Sequence, residues 1–388
     1  MPKQPRTTVL LAVAAAMLLA APAQSTVGPG YQILRDVNVA PGLNYKEVKD
    51  SRGPNRIHLL TINPEKAVSI DVAMPKGQLG HTEKTSSMAA RRRATAAING
   101  DFGAGAGRPT HGFMVDGSLK LSPGCCPRGF AIRRNEAATY FGVPEFTAGL
   151  HELDSNEHWA IDRWNRGSPD AGEIAAFTPD GGTFAAPPQN ACSARLLATS
   201  GLVWSNGGLA RAYRVEETRC GDRLSADRGV VLSAKPGTPE GDEVATLEPG
   251  ETVRLDWKFG WAGIMDFIGG KPILMKDGVV TADSCSEPLC RRQARTGIGR
   301  RSDGRLLLIV VDGGSKQSVG MTLIEFASLF KDLGATDALN LQGGASSTMV
   351  VKGSVVNRPS TGSERAVANS LLVLPRPDPG EPQPASGF

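Results

Sequence analysis

From Leu306 to Gln342 the chain reads as one strand–helix–strand unit, and this stretch constrains the fold more than any other. Leu306–Val311 is a continuous apolar run of strand length ending at Asp312-Gly313-Gly314. Thr322 to Leu333 has helical spacing. Leu323, Phe326, Phe330 and Leu333 share one face, Thr322 and Glu325 form a capping box, and Gly334 stops the helix. Ala338–Leu341 is a second strand, ending at Gln342-Gly343-Gly344. This order predicts parallel strands whose carboxyl ends share one sheet edge. Asp312 and Gln342 then hold equivalent strand-end positions, where ligands of such sheets bind. The expected class is α+β, with mixed sheets and a βαβ unit near the C-terminus.

Two glycine pairs at one edge imply a close approach of backbone to something, since glycine has no side chain and permits positive φ. Consecutive N–H groups in such turns can form an anion nest. Ser346, Ser347 and Thr348 add hydroxyl donors. The pattern suits a pocket for phosphate or another oxyanion; two ordinary tight turns would read the same way. Other catalytic signatures are missing. Gly103–Gly107 is followed by Arg108, not by the Lys of a Walker A loop, and neither GxSxG nor HExxH occurs.

Upstream, Ile57–Ile62 and Ala67–Ala73 alternate as strands around Asn63-Pro64, and residues 24–55 read as a loosely ordered segment with one or two strands. Thr85–Arg93 reads as a short helix. Thr95–Ile98 is a strand running into Asn99-Gly100-Asp101-Phe102, and Asp116-Gly117 joins a hairpin. Residues 142–262 read as an irregular β-rich insertion that carries all five tryptophans. A last hairpin turns at Lys352-Gly353.

The N-terminus has the order of a secretory signal peptide over residues 1–23: Lys3 and Arg6, an apolar run from Val9 to Ala20, then Ala21-Pro22-Ala23. That run falls short of the ~20 apolar residues that span a bilayer. An exported location, extracellular or periplasmic, follows, with no stable membrane insertion after cleavage. In such a compartment the six cysteines read as disulfides. Proximity favours Cys192–Cys220 and Cys285–Cys290, leaving Cys125 and Cys126 to pair with each other or to rearrange the rest. Structural zinc is disfavoured, because CxxC and paired histidines at ligand spacing are lacking. The net charge of +4 is too small to suggest nucleic acid, and Arg91-Arg92-Arg93 reads as a solvated helix face. The mature domain is expected over 24–375, followed by a Pro-, Gly- and Ser-rich disordered tail at 376–388.

An ordered set of motifs goes further. It runs through Ile98-Asn99-Gly100-Asp101-Phe102, Gly270-Lys271-Pro272-Ile273-Leu274, Ala294-Arg295-Thr296-Gly297-Ile298-Gly299 and Val311-Asp312-Gly313. It continues through Gly320-Met321-Thr322-Leu323, Leu339–Met349, Asn357-Arg358-Pro359-Ser360 and Glu364-Arg365. In this set and order the chain resembles the phosphodiester glycosidase family. The resemblance is dense from about Gly269 to Leu374, sparser from Ile57 to Phe130, and silent across 142–262.

The resemblance implies hydrolysis of a sugar 1-phosphodiester at the glycosidic bond, with a glycan or sugar phosphodiester of the cell envelope or extracellular space as substrate. No cofactor is implied and no metal is assigned. Asp312 is the leading candidate carboxylate, as nucleophile or water-orienting base, with Asp101 and Glu364 as further catalytic candidates. Arg295 and Arg365 would clamp phosphate, although Glu364 could instead pair with Arg365. Asn99, His111, Asn340, Gln342, Gly343, Gly344, Ser346 and Ser347 would line the substrate pocket. His111 is a candidate proton donor, or a structural histidine. The family typically carries Asp-Gly-Gly-Gly-Ser where this chain has Gln342-Gly343-Gly344-Ala345-Ser346. Gln342 keeps hydrogen bonding and removes the charge, so an alternative is a catalytically impaired glycan- or phosphate-binding protein on the same scaffold.

Overall fold

The computed structural model describes residues 30–375, apart from 67, 105–106, 125–127, 134–137, 154–156 and 284–286. The signal segment, the 376–388 tail, Cys125, Cys126 and Cys285 lie outside the described residues.

The site-bearing sheet has eight strands in the order Tyr31–Ala40, Leu43–Asp50, Asn55–Ile62, Leu306–Val311, Arg295–Arg301, Ala335–Asn340, Ile273–Lys276 and Val279–Val280. Every neighbouring pair in it is antiparallel. Leu306–Val311 and Ala335–Asn340 do run in the same direction, but Arg295–Arg301 lies between them and pairs with both. The strand–helix–strand unit therefore straddles a third strand. Among the described residues, the mixed character expected of the sheets is confined to one parallel pair, Arg163–Trp164 with Ile174–Phe177, in another sheet.

Leu306–Val311 is apolar throughout because both of its faces are covered. Leu306, Leu308 and Val310 enter one core with Leu60, Ile98, Leu341 and Leu371; Leu307, Ile309 and Val311 enter another with Phe326 and Phe330. The second core lies under the helix Leu323–Asp332, whose N-cap Thr322 makes the reciprocal capping box with Glu325. The first is closed by a five-stranded sheet ordered Ser354–Val355, Met349–Val351, Ala96–Asn99, Ser370–Pro375 and Val68–Ala73. Its far face carries the helix Thr85–Arg91 through Met88 and Ala89.

Residues 31–50 form a long hairpin with two register shifts, not a loose segment. Thr147–Lys258 is regular: most of it forms a nine-stranded sheet with its own core, which includes Leu150, Leu232, Leu255, Trp164 and Trp257. Trp164 and Trp257 thus serve packing, while Trp204 is 38% exposed. Cys192 and Cys220 face each other across paired strands of this sheet and are disulfide-bonded; Cys290 is disulfide-bonded too. Asp116-Gly117 turns the hairpin Phe113–Val115/Ser118–Leu121 with positive φ at both residues.

Candidate active site

Asp312 sits where the Leu306–Val311 ladder runs out, and one more bond, from its N–H to the Arg56 carbonyl, extends that ladder. Val310 pairs with His58, so Asp312 lies diagonally across from His58 on the same face. The Asp312 side chain is buried and its Oδ2 lies 3.4 Å from His58 Nε2. His58 Nδ1 lies 2.9 Å from the Tyr45 hydroxyl. Burial first, and then the nearby Glu47 charge, pushes the Tyr45 phenol above its ordinary value, so it stays a donor. A hydroxyl donating to Nδ1 places the imidazole proton on Nε2, facing the carboxylate. The other Asp312 oxygen accepts from the Arg358 N–H at 3.0 Å and faces Asn357 Nδ2 at 3.4 Å.

Asn357 ties this carboxylate to the Gln342–Thr348 turn. Its Nδ2 also donates to the Ser347 carbonyl at 3.0 Å, and its Oδ1 accepts from Met349 N–H at 2.7 Å. Asn99 fixes the same turn from the other side. Fully buried at the end of Ala96–Asn99, it donates to the Gln342 carbonyl at 2.6 Å. Its Oδ1 accepts from Thr348 N–H and the Thr296 hydroxyl. Asn99 therefore clasps both ends of the turn.

Five of the seven N–H groups of the 342–348 turn are taken up within the chain. The N–H groups of Gln342, Gly344, Ser346, Ser347 and Thr348 donate to Gly100 O, Ala294 O, Gly343 O, Gly344 O and Asn99 Oδ1 respectively. What the glycines approach is the chain itself. A Cβ on Gly343 would lie 2.6 Å from Ala294 O, and one on Gly313 would press into Ala294 N. The two glycine turns pack on one residue, which brings the Asp312 and Gln342 turns to a common edge. Among the described residues, the side-chain atoms Asn340 Oδ1, Ser347 Oγ, Thr348 Oγ1 and Asn369 Nδ2 are buried here without hydrogen-bond partners. Asn340 Nδ2 is held by the Lys271 carbonyl at 2.7 Å. Buried polar atoms left unpaired are costly, and a substrate's hydroxyls would satisfy them. Ser346 is buried and Gln342 half-buried; the Gln342 side chain makes no hydrogen bond among the described residues.

Asp101 and His111 form a second buried pair. Asp101 Oδ1 lies 2.7 Å from His111 Nδ1, and Oδ2 accepts the His111 N–H at 2.8 Å. Asp101 is itself placed by the Asn369 side chain, which accepts its N–H at 2.7 Å. The carboxylate thus fixes the imidazole's orientation, and His111 Nε2 has no partner among the described residues.

Other candidates stand apart. The Arg295 guanidinium is fully buried and donates to the Met321, Leu289 and Arg291 carbonyls at 2.6–2.9 Å. Burial lowers its pKa to about 10, and its donors pin the 289–291 turn rather than a cleft. Glu364 accepts from the Ser86 N–H at 2.8 Å and from the Ser86 hydroxyl, so it caps the helix Thr85–Arg91. Arg365 is exposed, with no ion pair to Glu364 among the described residues. His58 and Tyr45 are the partners that sequence reading missed. No local spacing marks them, since they meet Asp312 only through strand pairing across the sheet.

The phosphodiester glycosidase family model matches residues 175–374. It therefore reaches back into the 142–262 segment, further than the motifs alone. The SPbeta prophage-derived protein YomE of Bacillus subtilis is 44% identical over 82 residues, 21% of this chain and 13% of that one. The N-acetylglucosamine-1-phosphodiester alpha-N-acetylglucosaminidase of Bos taurus is 39% identical over 178 residues, 41% of this chain and 32% of that one. The chain thus spans a third or less of the curated relatives it matches. Among solved structures, a hypothetical protein from Synechocystis shares the fold at TM-score 0.70 and 20% identity, over 88% of this chain and 63% of that one. A putative exported protein from Burkholderia pseudomallei does so at TM-score 0.59 and 22% identity, over 85% and 74%. No helix among the described residues is long and apolar enough to cross a membrane. With more than half of its length matched by the family model, the chain belongs to the phosphodiester glycosidase family.

Proposed function

We propose that this protein is an exported hydrolase that cleaves the glycosidic bond of a sugar 1-phosphodiester. The observation that carries this reading is the Asp312 carboxylate, buried at a strand end, backed by His58 and Tyr45, and joined through Asn357 to the 342–348 turn. In the reaction, the bond from the anomeric carbon to the phosphate oxygen breaks and the phosphomonoester departs with the bonding electrons. Water supplies the oxygen that replaces it and gives up a proton. A phosphomonoester leaves readily, so the main demand is to stabilise an oxocarbenium-like transition state. Asp312 does so as a carboxylate facing the anomeric centre, acting as nucleophile or as the base that orients water. His111, doubly protonated with its Nδ1–H on Asp101, donates its Nε2 proton to the departing phosphate. Asn340, Ser347 and Thr348 bind sugar hydroxyls with their unpaired atoms.

Gln342 favours a second reading. Where the family resemblance leads one to expect a carboxylate, this chain has an uncharged amide, which suits a binder that has lost turnover.

Hydrolysis in ¹⁸O-labelled water separates these readings. With a sugar 1-phosphodiester as substrate, the label enters the sugar's anomeric hydroxyl if the glycosidic bond is cut. Label in the phosphate means phosphorus–oxygen cleavage and overturns the assignment. Ligand-induced thermal stabilisation without turnover supports the binder.

A further inference from the structure

We propose that His151, His158 and Asp256, on the outer part of the nine-stranded sheet, form a binding site for a divalent transition-metal ion of the zinc type. The three residues come from three consecutive strands: His158–Ala160 at the sheet edge, Thr147–Glu152 next to it, and Thr252–Lys258 beyond. His151 stands directly opposite His158, and Gly149 directly opposite Asp256. Directly opposed residues, and residues two apart, share a face of a sheet. All three side chains therefore project from the same side. They place two of the chain's five histidines in direct contact, with ring centroids 4.3 Å apart.

The centre of the cluster is left open by Gly149. A Cβ there would lie 2.5 Å from His158 Nε2 and 3.1 Å from Asp256 Oδ1, so any other residue would fill the space the donors occupy. Asp256 Oδ2 is 2.7 Å from His151 Nε2, a hydrogen bond that accounts for two members of the trio. His158 makes no hydrogen bond among the described residues, although its Nε2 points over the same gap. One donor atom from each residue lies within 4.8 Å of the others. Tetrahedral zinc, with ligand bonds of ~2.0–2.2 Å, needs donors roughly 3.3–3.5 Å apart.

Two imidazoles and one carboxylate are ligands of intermediate softness. They suit zinc and its neighbours better than calcium or magnesium, which take oxygen alone. The trio supplies three ligands, and His158 is exposed, so the fourth position faces solvent and takes water or a donor from a bound molecule. Bound metal would also tie the three-residue edge strand to the two strands behind it. His151 and His158 precede residue 175, where the family match begins, and Asp256 lies within it.

The test is calorimetric titration of zinc sulfate into the full-length exported protein after chelator treatment. One saturable site per chain is expected. His158→Ala and Asp256→Asn, both with unchanged circular dichroism, should each weaken it at least tenfold. His81→Ala, at an exposed histidine outside the trio, should leave it intact. Cobalt(II) in place of zinc should give the visible absorption of a tetrahedral or five-coordinate site, lost in His158→Ala. Absence of saturable binding by the wild type, or equal affinity in wild type and His158→Ala, overturns the proposal. Hydrolase activity plays no part in these readouts, so they stand whether or not the reaction proposed above is correct.

Discussion

His58 Nε2 lies 3.4 Å from Asp312 Oδ2, and the ring between them and Tyr45 is buried on all sides. The arrangement draws on three strands: Tyr45 and His58 come from neighbouring N-terminal strands, and Asp312 follows a strand distant in sequence that pairs beside them. In the proposed reaction His58 acts as a positioning residue, fixing the Asp312 carboxylate. His58→Gln should therefore lower kcat by about tenfold to a hundredfold with little change in KM, the pattern of lost transition-state positioning. Tyr45→Phe should fall between His58→Gln and wild type. Equal loss of kcat and of thermal stability in both variants would mark a packing role only.

Gly313 and Gly343 of the two strand-end turns both pack closely on the Ala294 backbone. Gly313→Ala and Gly343→Ala each drive a methyl into Ala294 backbone, which cannot move aside as a side chain would. Each should cost about 1–3 kcal/mol of stability, as overpacking does, readable by urea unfolding. An effect on substrate affinity with unaltered stability would instead mark these turns as an anion nest.

Glu364 separates local structure from catalysis. Glu364→Ala removes both acceptors of Ser86 at the start of Thr85–Arg91. A loss of about 1 kcal/mol is expected, as for other helix caps, with kcat retained. A collapse of kcat at unchanged stability would return Glu364 to the catalytic set.

Much of this was written locally in the sequence. The capping box at Thr322 and Glu325, the Asp116-Gly117 hairpin and the doubly buried Leu306–Val311 strand all depend on residues within a few positions of one another. What escaped was long-range pairing. Nothing near Arg295–Arg301 announces that it slots between Leu306–Val311 and Ala335–Asn340. Nothing near His58 announces Asp312, 254 residues away. The sheet within 147–258 was obscured for a related reason: turn clusters and charged alternation mask strands that become regular only when paired. Arg295 looked like a phosphate clamp, and only the three carbonyls around it reveal its structural use.

Glu243 gives the molecule a pH signature. Burial, then a hydrogen bond to Glu152 and the charges of Glu152, Glu157 and Glu251, raise its carboxyl from 4.5 to about 8. The folded state therefore binds this proton more tightly than the unfolded chain. The stabilisation is fully present below about pH 4.5 and is lost as pH rises toward about 8. Glu243→Gln should narrow the difference in Tm between pH 5 and pH 8.5. An unaltered difference would show that Glu243 ionises freely in the fold.

The most direct test of the catalytic assignment is release of free sugar from a panel of sugar 1-phosphodiesters by wild type and by Asp312→Ala. Wild type should release sugar and phosphomonoester in equal amounts from at least one substrate. In the folded Asp312→Ala protein, kcat for that substrate should fall by about a thousandfold or more, the scale lost with a principal catalytic group. Turnover by Asp312→Ala at the wild-type rate, or no sugar release by wild type from any member of the panel, would contradict it.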